Sequence, residues 1–400
     1  MRLRTLEDLG DASGARAFVR LDLNVPLRDG EVVDDARIRA SLPTLTELLE
    51  RGASVVAASH LGRPKGQVRD ELRLTPVARR LAELLATEVV APGVIVGEDA
   101  AAACERAGPG GVVLLENLRF DPREEANDDG FAAELEALAD VYVNDAFGAA
   151  HRTHASVAAL PARYLERGRA AVAGRLVQRE VEALGRLLDA PDRPYIAVLG
   201  GAKVSDKLGA IGALVERVDA FLIGGAMAFT FVAADGGRVG RSLVERDRID
   251  EVRSARASAE ERDVLVQLPE DVVAAPEMSL DAPRHTVPAS DIPDGEMGLD
   301  IGPRSVEEFA RTIADAKTIL WNGPMGVFEL EPFSAGTRGV GVAIAAAPAF
   351  AVAGGGDSLA AVARFGLADG FDHLSTGGGA SLEFLEGREL PGLAVLSEER

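Results

Sequence analysis

Lysine is almost missing from this chain. Four of its 43 basic residues, Lys65, Lys203, Lys207 and Lys317, carry an ammonium, and the rest are arginine. Cysteine is scarcer still: Cys104 stands alone, which excludes an internal disulfide framework and fits a reducing cytosol. No apolar run approaches the length needed to cross a bilayer. The opening stretch Met1–Leu9 has early acids and no continuous apolar segment of the kind a leader uses. We therefore expect a cytoplasmic protein with no membrane partner. Positive charge is also in deficit. A formal net charge of −21 argues against an extended nucleic-acid surface, because neutralising phosphates needs a basic face. Any anion site must be a local positive island. The mean hydropathy of +0.07 favours GC-rich coding over salt adaptation as the source of the arginine bias, since a salt-adapted surface should cost apolar content.

What is present is ordinary globular material at a length of 400 residues, 47% apolar and 27% charged, enough for two or three domains with their own cores. Its clearest feature is Gly200-Gly201-Ala202-Lys203-Val204-Ser205-Asp206-Lys207, directly after the apolar run Tyr195–Leu199. The order reads strand, glycine turn, helix. Adjacent glycines let backbone approach a bulky anion, and a helix start offers unpaired N–H groups. Two of the four lysines sit here, as compact charges suited to phosphate oxygens. The stretch lacks the G-x-x-x-x-G-K-[ST] pattern, so it is no ordinary P-loop. Taken alone, it is also compatible with a glycine-rich turn bearing solvated lysines.

The first half alternates strand and helix. Phe18, Leu21, Leu23 and Val25 bracket Arg20, Asp22 and Asn24, which period two places on one strand face. A helix pattern runs from Asp35 through Leu49 to Gly52, with Arg37 at its start and Pro43 either kinking it or marking its true beginning. The strand Ser54–Ser59 empties into His60-Leu61-Gly62-Arg63-Pro64. Thr75-Pro76 caps the next helix. The cycle continues with Val94-Ile95-Val96, a helix from Asp99, Val112–Leu115 leading into Glu116–Phe120, a helix over 131–138, and Val141-Tyr142-Val143 leading into Asn144–Arg152. Such alternation implies a parallel sheet, which binds ligands beyond the carboxyl ends of its strands. The polar clusters fall at those ends. If the ends converge, Arg20, Arg37, His60, Arg63, Arg119, His151 and Arg152 line one positive pocket.

Residues 168–190 read as a long helix joining two lobes. A second series follows: Ala220–Ile223 into Gly224-Gly225, Val264-Leu265-Val266, and Thr318–Trp321 into Asn322–Glu329. Met227, Val327, Phe328 and Glu329 are candidates for a base slot with a ribose partner. Phe350–Ala353 ends in Gly354-Gly355-Gly356-Asp357-Ser358, where exposed amides and a carboxylate suit phosphate and Mg²⁺. Gly377-Gly378-Gly379 begins a last helix.

Eight motifs in order, Val19–Pro26, His60–Pro64, Glu116–Phe120, Asp145–Gly148, Gly200–Lys207, Trp321–Glu329, Gly354–Ser358 and Ser375–Glu383, resemble the phosphoglycerate kinase family across nearly the whole chain. The resemblance implies an α/β fold of two Rossmann-like lobes, each a parallel sheet flanked by helices, joined by a long helix. It implies a phosphoglycerate lobe over 1–170, a linking helix over 171–190, a nucleotide lobe over 191–375, and a segment 376–400 returning to the first lobe. Reversible phosphoryl transfer between 1,3-bisphosphoglycerate with ADP and 3-phosphoglycerate with ATP is implied, Mg²⁺-dependent, in a monomer that closes about a hinge. Carried over by position, Asp22, Leu23, Asn24, Arg37, His60, Leu61, Gly62, Arg63, Arg119 and Arg152 are expected to hold phosphoglycerate. Lys203, Lys207, Asn322, Glu329, Gly355, Gly356, Asp357 and Ser358 are expected to hold nucleotide, Asp357 through the metal. Arg37, Lys203 and Lys207 are expected to act on the transferring group. Another carboxylate kinase and a non-catalytic two-lobed anion- or nucleotide-binding protein remain the alternatives.

Overall fold

The structure, a computed structural model, describes residues 1–398, so the last two residues of the expected returning segment lie outside it. The chain divides into two compact units, Met1–Glu182 with Glu389–Arg400, and Ala183–Arg388. Helix Gly379–Leu385 falls in the second unit, so the segment counted with the first unit begins at Glu389 rather than at 376.

In the first unit the strands are β1 (Arg16–Leu21), β2 (Ser54–Ala58), β3 (Val89–Val90), β4 (Val112–Leu114), β5 (Val141–Asp145) and β6 (Ala171–Ala173). They pair in the order β3-β4-β2-β1-β5-β6, and all five pairings are parallel. Central strands of such a sheet have both faces covered, which is why β2 is buried at every position. The helix Ala36–Glu50 (α1) runs unbroken through Pro43. It packs Ile38, Leu45 and Leu48 into a core shared with Val19, Leu21, Val55 and Ala57.

Three local expectations are corrected. The edge strand is Val89–Val90, and 94–96 form no strand. The linking helix is shorter than 168–190: Ala171–Ala173 is strand, and the helix (α2) is Arg175–Asp189. Gly174 divides the two, and a Cβ there would stand 2.3 Å from Asp145 Oδ1. Thr75 is the first helical residue of Thr75–Leu85, with Leu74 at the cap position.

In the second unit β7 (Tyr195–Leu199), β8 (Ala220–Ile223), β9 (Leu265–Gln267), β10 (Thr318–Asn322), β11 (Phe350–Gly354) and β12 (His373–Ser375) pair in the order β9-β8-β7-β10-β11-β12. This is the doubly wound order, with its switch point between β7 and β10. A small antiparallel sheet unanticipated from the sequence pairs Asp271–Ala275 with His285–Pro288 and Met297–Ile301. Its own apolar cluster includes Phe229, Val232, Val272 and Ile292.

Candidate functional site

The first unit gathers its cations beyond the carboxyl ends of β1, β2, β4 and β5. β1 stops at Leu21, so Asp22 and Asn24 lie in the loop after the strand. Asp22 is buried and contacts the Arg37 guanidinium from the first turn of α1. Asn24 Oδ1 accepts the Gly62 N–H at 2.9 Å, and Leu23 N–H donates to Ser59 Oγ at 2.9 Å. Asn117 joins two loops: its Oδ1 accepts from Leu61 N at 3.1 Å and Arg119 N at 3.2 Å, while its Nδ2 donates to Leu61 O at 2.8 Å. The Arg119 side chain crosses the same gap to Gly62 O at 2.9 Å. Gly62 needs to be glycine, with φ of +62° and a Cβ that would lie 2.7 Å from Leu72 Cδ2. These bonds satisfy loop backbone and fix where Arg119 and His60 emerge.

Arg63 and Arg152 are exposed and available to a solvent-borne anion. Arg20 is not. Its side chain is fully buried, so the expectation that it lines an open pocket is corrected: Nε donates to Ser156 Oγ at 2.8 Å and Nη2 meets His60 Nδ1 at 3.2 Å. His154, which the sequence reading passed over, belongs to the same cluster. Burial, then the nearby Arg119 and Arg20 charges, push its imidazole down to about 4. The same causes, burial first and Arg20 next, hold His60 well below its ordinary value. Arg119 is also lowered, chiefly by burial and then by Arg20. Mutual lowering of this kind marks a place where buried cations crowd one another by more than the nearby Glu124 and Glu125 offset.

The second unit builds its site at the switch point. Gly200 N–H donates to Asn322 O at 3.0 Å and Gly201 N–H to Pro324 O at 2.9 Å, binding the loop after β7 to the loop after β10. The approach is too close for any side chain, since a Cβ on Gly200 would lie 2.2 Å from Pro324 O and one on Gly323 2.2 Å from Gly200 O. The glycines are used for this loop-to-loop contact, and no helix starts directly behind them. Helix Leu208–Leu214 begins only after Lys207, which corrects the strand, turn, helix reading. Helix Gly356–Phe365, entered through Gly355 at φ of +91°, presents the first-turn amides instead.

Lys203 is exposed and Lys207 half-buried. The Lys207 ammonium contacts Asn322 Oδ1. Burial lowers its pKa, and Asp206 and Asp357 act in the opposite direction. Asn322 is buried, and its Nδ2 has no partner, a donor left over beside Gly355, whose added Cβ would lie 3.3 Å from that nitrogen. Ser358 is buried with its Oγ accepting the Gly323 N–H at 2.6 Å, so its hydroxyl braces the loop after β10.

A cavity of about 280 Å³ opens beside these loops, lined on its apolar walls by residues including Phe229, Val272, Met278, Leu299 and Val327, with Glu329 and Asp357 among its polar ones. Met227 and Phe328 are buried and do not line it; the base-slot expectation for those two is corrected. Part of the wall, Val272 and Met297–Ile301, comes from the antiparallel sheet, whose residues carry no motif signal beyond apolar alternation. Asp357 is exposed, in the first turn of its helix. One free carboxylate beside phosphate-compatible amides fits Mg²⁺, which commonly takes one or two carboxylates and completes its shell with phosphate oxygens and water. Among the described residues no group of three or more His, Cys, Asp or Glu forms a metal cage, and no helix is long and apolar enough to cross a membrane.

The model of the family described as phosphoglycerate kinase matches residues 6–388. A phosphoglycerate kinase of Thermomicrobium roseum is 55% identical over 397 residues, covering 99% of this chain and 100% of that one. One from Moorella thermoacetica is 51% identical over 395 residues, with 99% of both covered. Among solved structures, phosphoglycerate kinase from Coxiella burnetii matches with a TM-score of 0.87 at 38% identity over 99% of each chain.

Proposed function

This chain belongs to the phosphoglycerate kinase family, and from that premise we propose that it moves a phosphoryl group reversibly between the 1-carboxyl of 3-phosphoglycerate and ADP. The observation that carries this reading is the pairing of chemistries within one chain: a guanidinium and imidazole cluster in one unit, with Arg63 and Arg152 exposed to an incoming anion, and in the other an apolar cavity with Glu329 and Asp357 among its lining, beside the loop that carries Lys203 and Lys207. The first suits a small, doubly anionic acid. The second suits a purine nucleotide with its phosphates.

In this division of labour Asp22, Leu23 and Asn24 orient the triose, and His60, Leu61, Gly62, Arg63, Arg119 and Arg152 bind its phosphate and carboxylate. Asn322, Glu329, Gly355, Gly356 and Ser358 serve the nucleotide. Asp357 holds Mg²⁺, which when bound supplies charge neutralisation on the phosphate chain. The acceptor carboxylate is already ionised, so the reaction needs neither a protein nucleophile nor a general base. What remains is positioning and charge stabilisation. Arg37 and Lys203 take the charge of the transferring phosphoryl group, and Lys207 takes that of the phosphate chain. Its lowered pKa reflects an ammonium kept partly dry, which strengthens its pull on an anion. Ligands held on separate units require a closing step, which also excludes water from the acyl phosphate product. Cytoplasmic location and action as a monomer complete the proposal.

A coupled assay with Mg·ATP and alternative acceptors tests it. Turnover with 3-phosphoglycerate and not with acetate or aspartate is expected. Binding of Mg·ATP without turnover of 3-phosphoglycerate contradicts it.

A further inference from the structure

Beneath the cation cluster of the first unit lies a carboxylate that no ligand can reach. Glu124 has no exposed surface. Its Oε2 accepts the Ser156 N–H at 2.9 Å and its Oε1 accepts the Ser156 hydroxyl at 2.6 Å. The same hydroxyl oxygen accepts from Arg20 Nε at 2.8 Å. Burial raises the Glu124 pKa, and the Arg20 charge and the two Ser156 bonds oppose that rise; since a guanidinium only donates, an ionised Glu124 takes the single hydroxyl proton of Ser156. Glu124 is thus the counter-charge to a fully buried arginine, with Ser156 as the bridge between them. An arginine buried without such a partner would leave an uncompensated charge in the interior, which is strongly destabilising.

The chain of bonds continues outward. Arg20 Nη2 lies 3.2 Å from His60 Nδ1, and the donor-only rule applies again: Nδ1 must be the acceptor. An imidazole accepting at Nδ1 is neutral and carries its proton on Nε2. After burial and Arg20, the groups that act most on His60 are Arg119, Arg37 and His154, and each opposes a second proton.

We propose that Glu124 and Arg20, bridged by Ser156, are positioning residues that hold His60 as a neutral imidazole with Nε2–H as its only donor, so that arginines alone supply the positive charge at the phosphoglycerate site. The proposal deepens the assignment of His60 to phosphoglycerate and rests on it. Its consequence is functional: the hydrogen bond from His60 keeps its direction over the whole physiological range, and substrate affinity does not depend on protonating that ring.

Long-range proton–nitrogen correlation spectra of the full chain labelled with ¹⁵N-histidine read the tautomer directly, and its five histidines allow the ring to be assigned with His60→Gln. For the unsubstituted protein an unprotonated Nδ1 and a protonated Nε2 are expected, constant from about pH 5 to about pH 8. A proton on Nδ1, or titration in that window, overturns the proposal. Arg20→Met is expected to release the ring into a tautomer mixture and to raise KM for 3-phosphoglycerate roughly tenfold, with KM for Mg·ATP within about twofold. An unchanged tautomer together with an unchanged KM overturns it. Should Arg20→Met fail to fold, Arg20→Met combined with Glu124→Gln removes both buried charges together and carries the same expectations. If the tautomer is as expected but 3-phosphoglycerate is not turned over, the positioning holds and the functional reading fails.

Discussion

Arg37 already spends part of its charge on Asp22, a carboxylate buried against it at the start of α1, so its guanidinium is held in place before any ligand arrives. Truncation should therefore remove a preorganised donor. Arg37→Ala is expected to lower kcat by roughly 10²–10⁴, by analogy with donors and arginine fingers aimed at transferring groups; a loss below about fivefold in the coupled assay would take Arg37 out of that role. Asp300 provides a second test, of stability. It sits in the wall of the second unit's cavity with its oxygens accepting from Gly336 N at 2.7 Å and Ile301 N at 3.0 Å. Burial pushes its carboxyl up from 3.8 to about 7 against the pull of those two N–H groups. A carboxyl raised above its unfolded value supports the fold fully while protonated, below its unfolded pKa, and loses that support as pH rises through its folded pKa. Asp300→Asn cannot ionise, so its stability relative to the parent should improve steadily between about pH 4 and about pH 7. Urea unfolding across that range checks it, and a constant difference contradicts it. At this scale charged residues were largely legible and apolar ones were not. Arg63, Lys203 and Asp357 are exposed at loop ends or helix starts, where a polar residue after an apolar run is visible in sequence. Met227 and Phe328 are indistinguishable by composition from cavity lining, yet they are packed core. Arg20 shows the reverse error, a charge that reads as surface and is buried because Glu124 and Ser156 receive it from far along the chain.

The elements of the second site depend on loops that touch. Ser358 Oγ holds the Gly323 N–H at 2.6 Å in a dry interior, and Gly323 in turn packs against Gly200. Ser358→Ala leaves that N–H without a partner and is expected to cost about 1–3 kcal/mol of stability. KM for Mg·ATP should rise as well, because the displaced loop carries Asn322. Denaturant unfolding and the coupled assay read the two effects, and unchanged values of both would show that the hydroxyl does not brace the loop. The alternation of elements was readable because βα repeats impose a pattern of short apolar runs and longer amphipathic ones. Misplacements came where a strand is two or three residues long. Val89–Val90 and Ala171–Ala173 gain their strand character from neighbours in the sheet, which local pattern does not contain. The antiparallel sheet over 271–301 was missed for the same reason: its strands pair with one another at long range, and three of the four residues of His285–Pro288 are polar or proline.

For the whole molecule, the proposed phosphoryl transfer is a matter of bringing the phosphate donor and the acceptor carboxylate into line by fixed cations and amides, on a protein that is otherwise strongly acidic. No side chain is asked to form a bond to phosphorus. ATP made chiral at its γ-phosphorus by oxygen isotopes tests this directly, because one in-line displacement inverts the phosphorus and two restore it. With 3-phosphoglycerate as acceptor, inversion in the acyl phosphate product is the result expected. Retention, which requires a phosphorylated side chain between the two ligands, would contradict it.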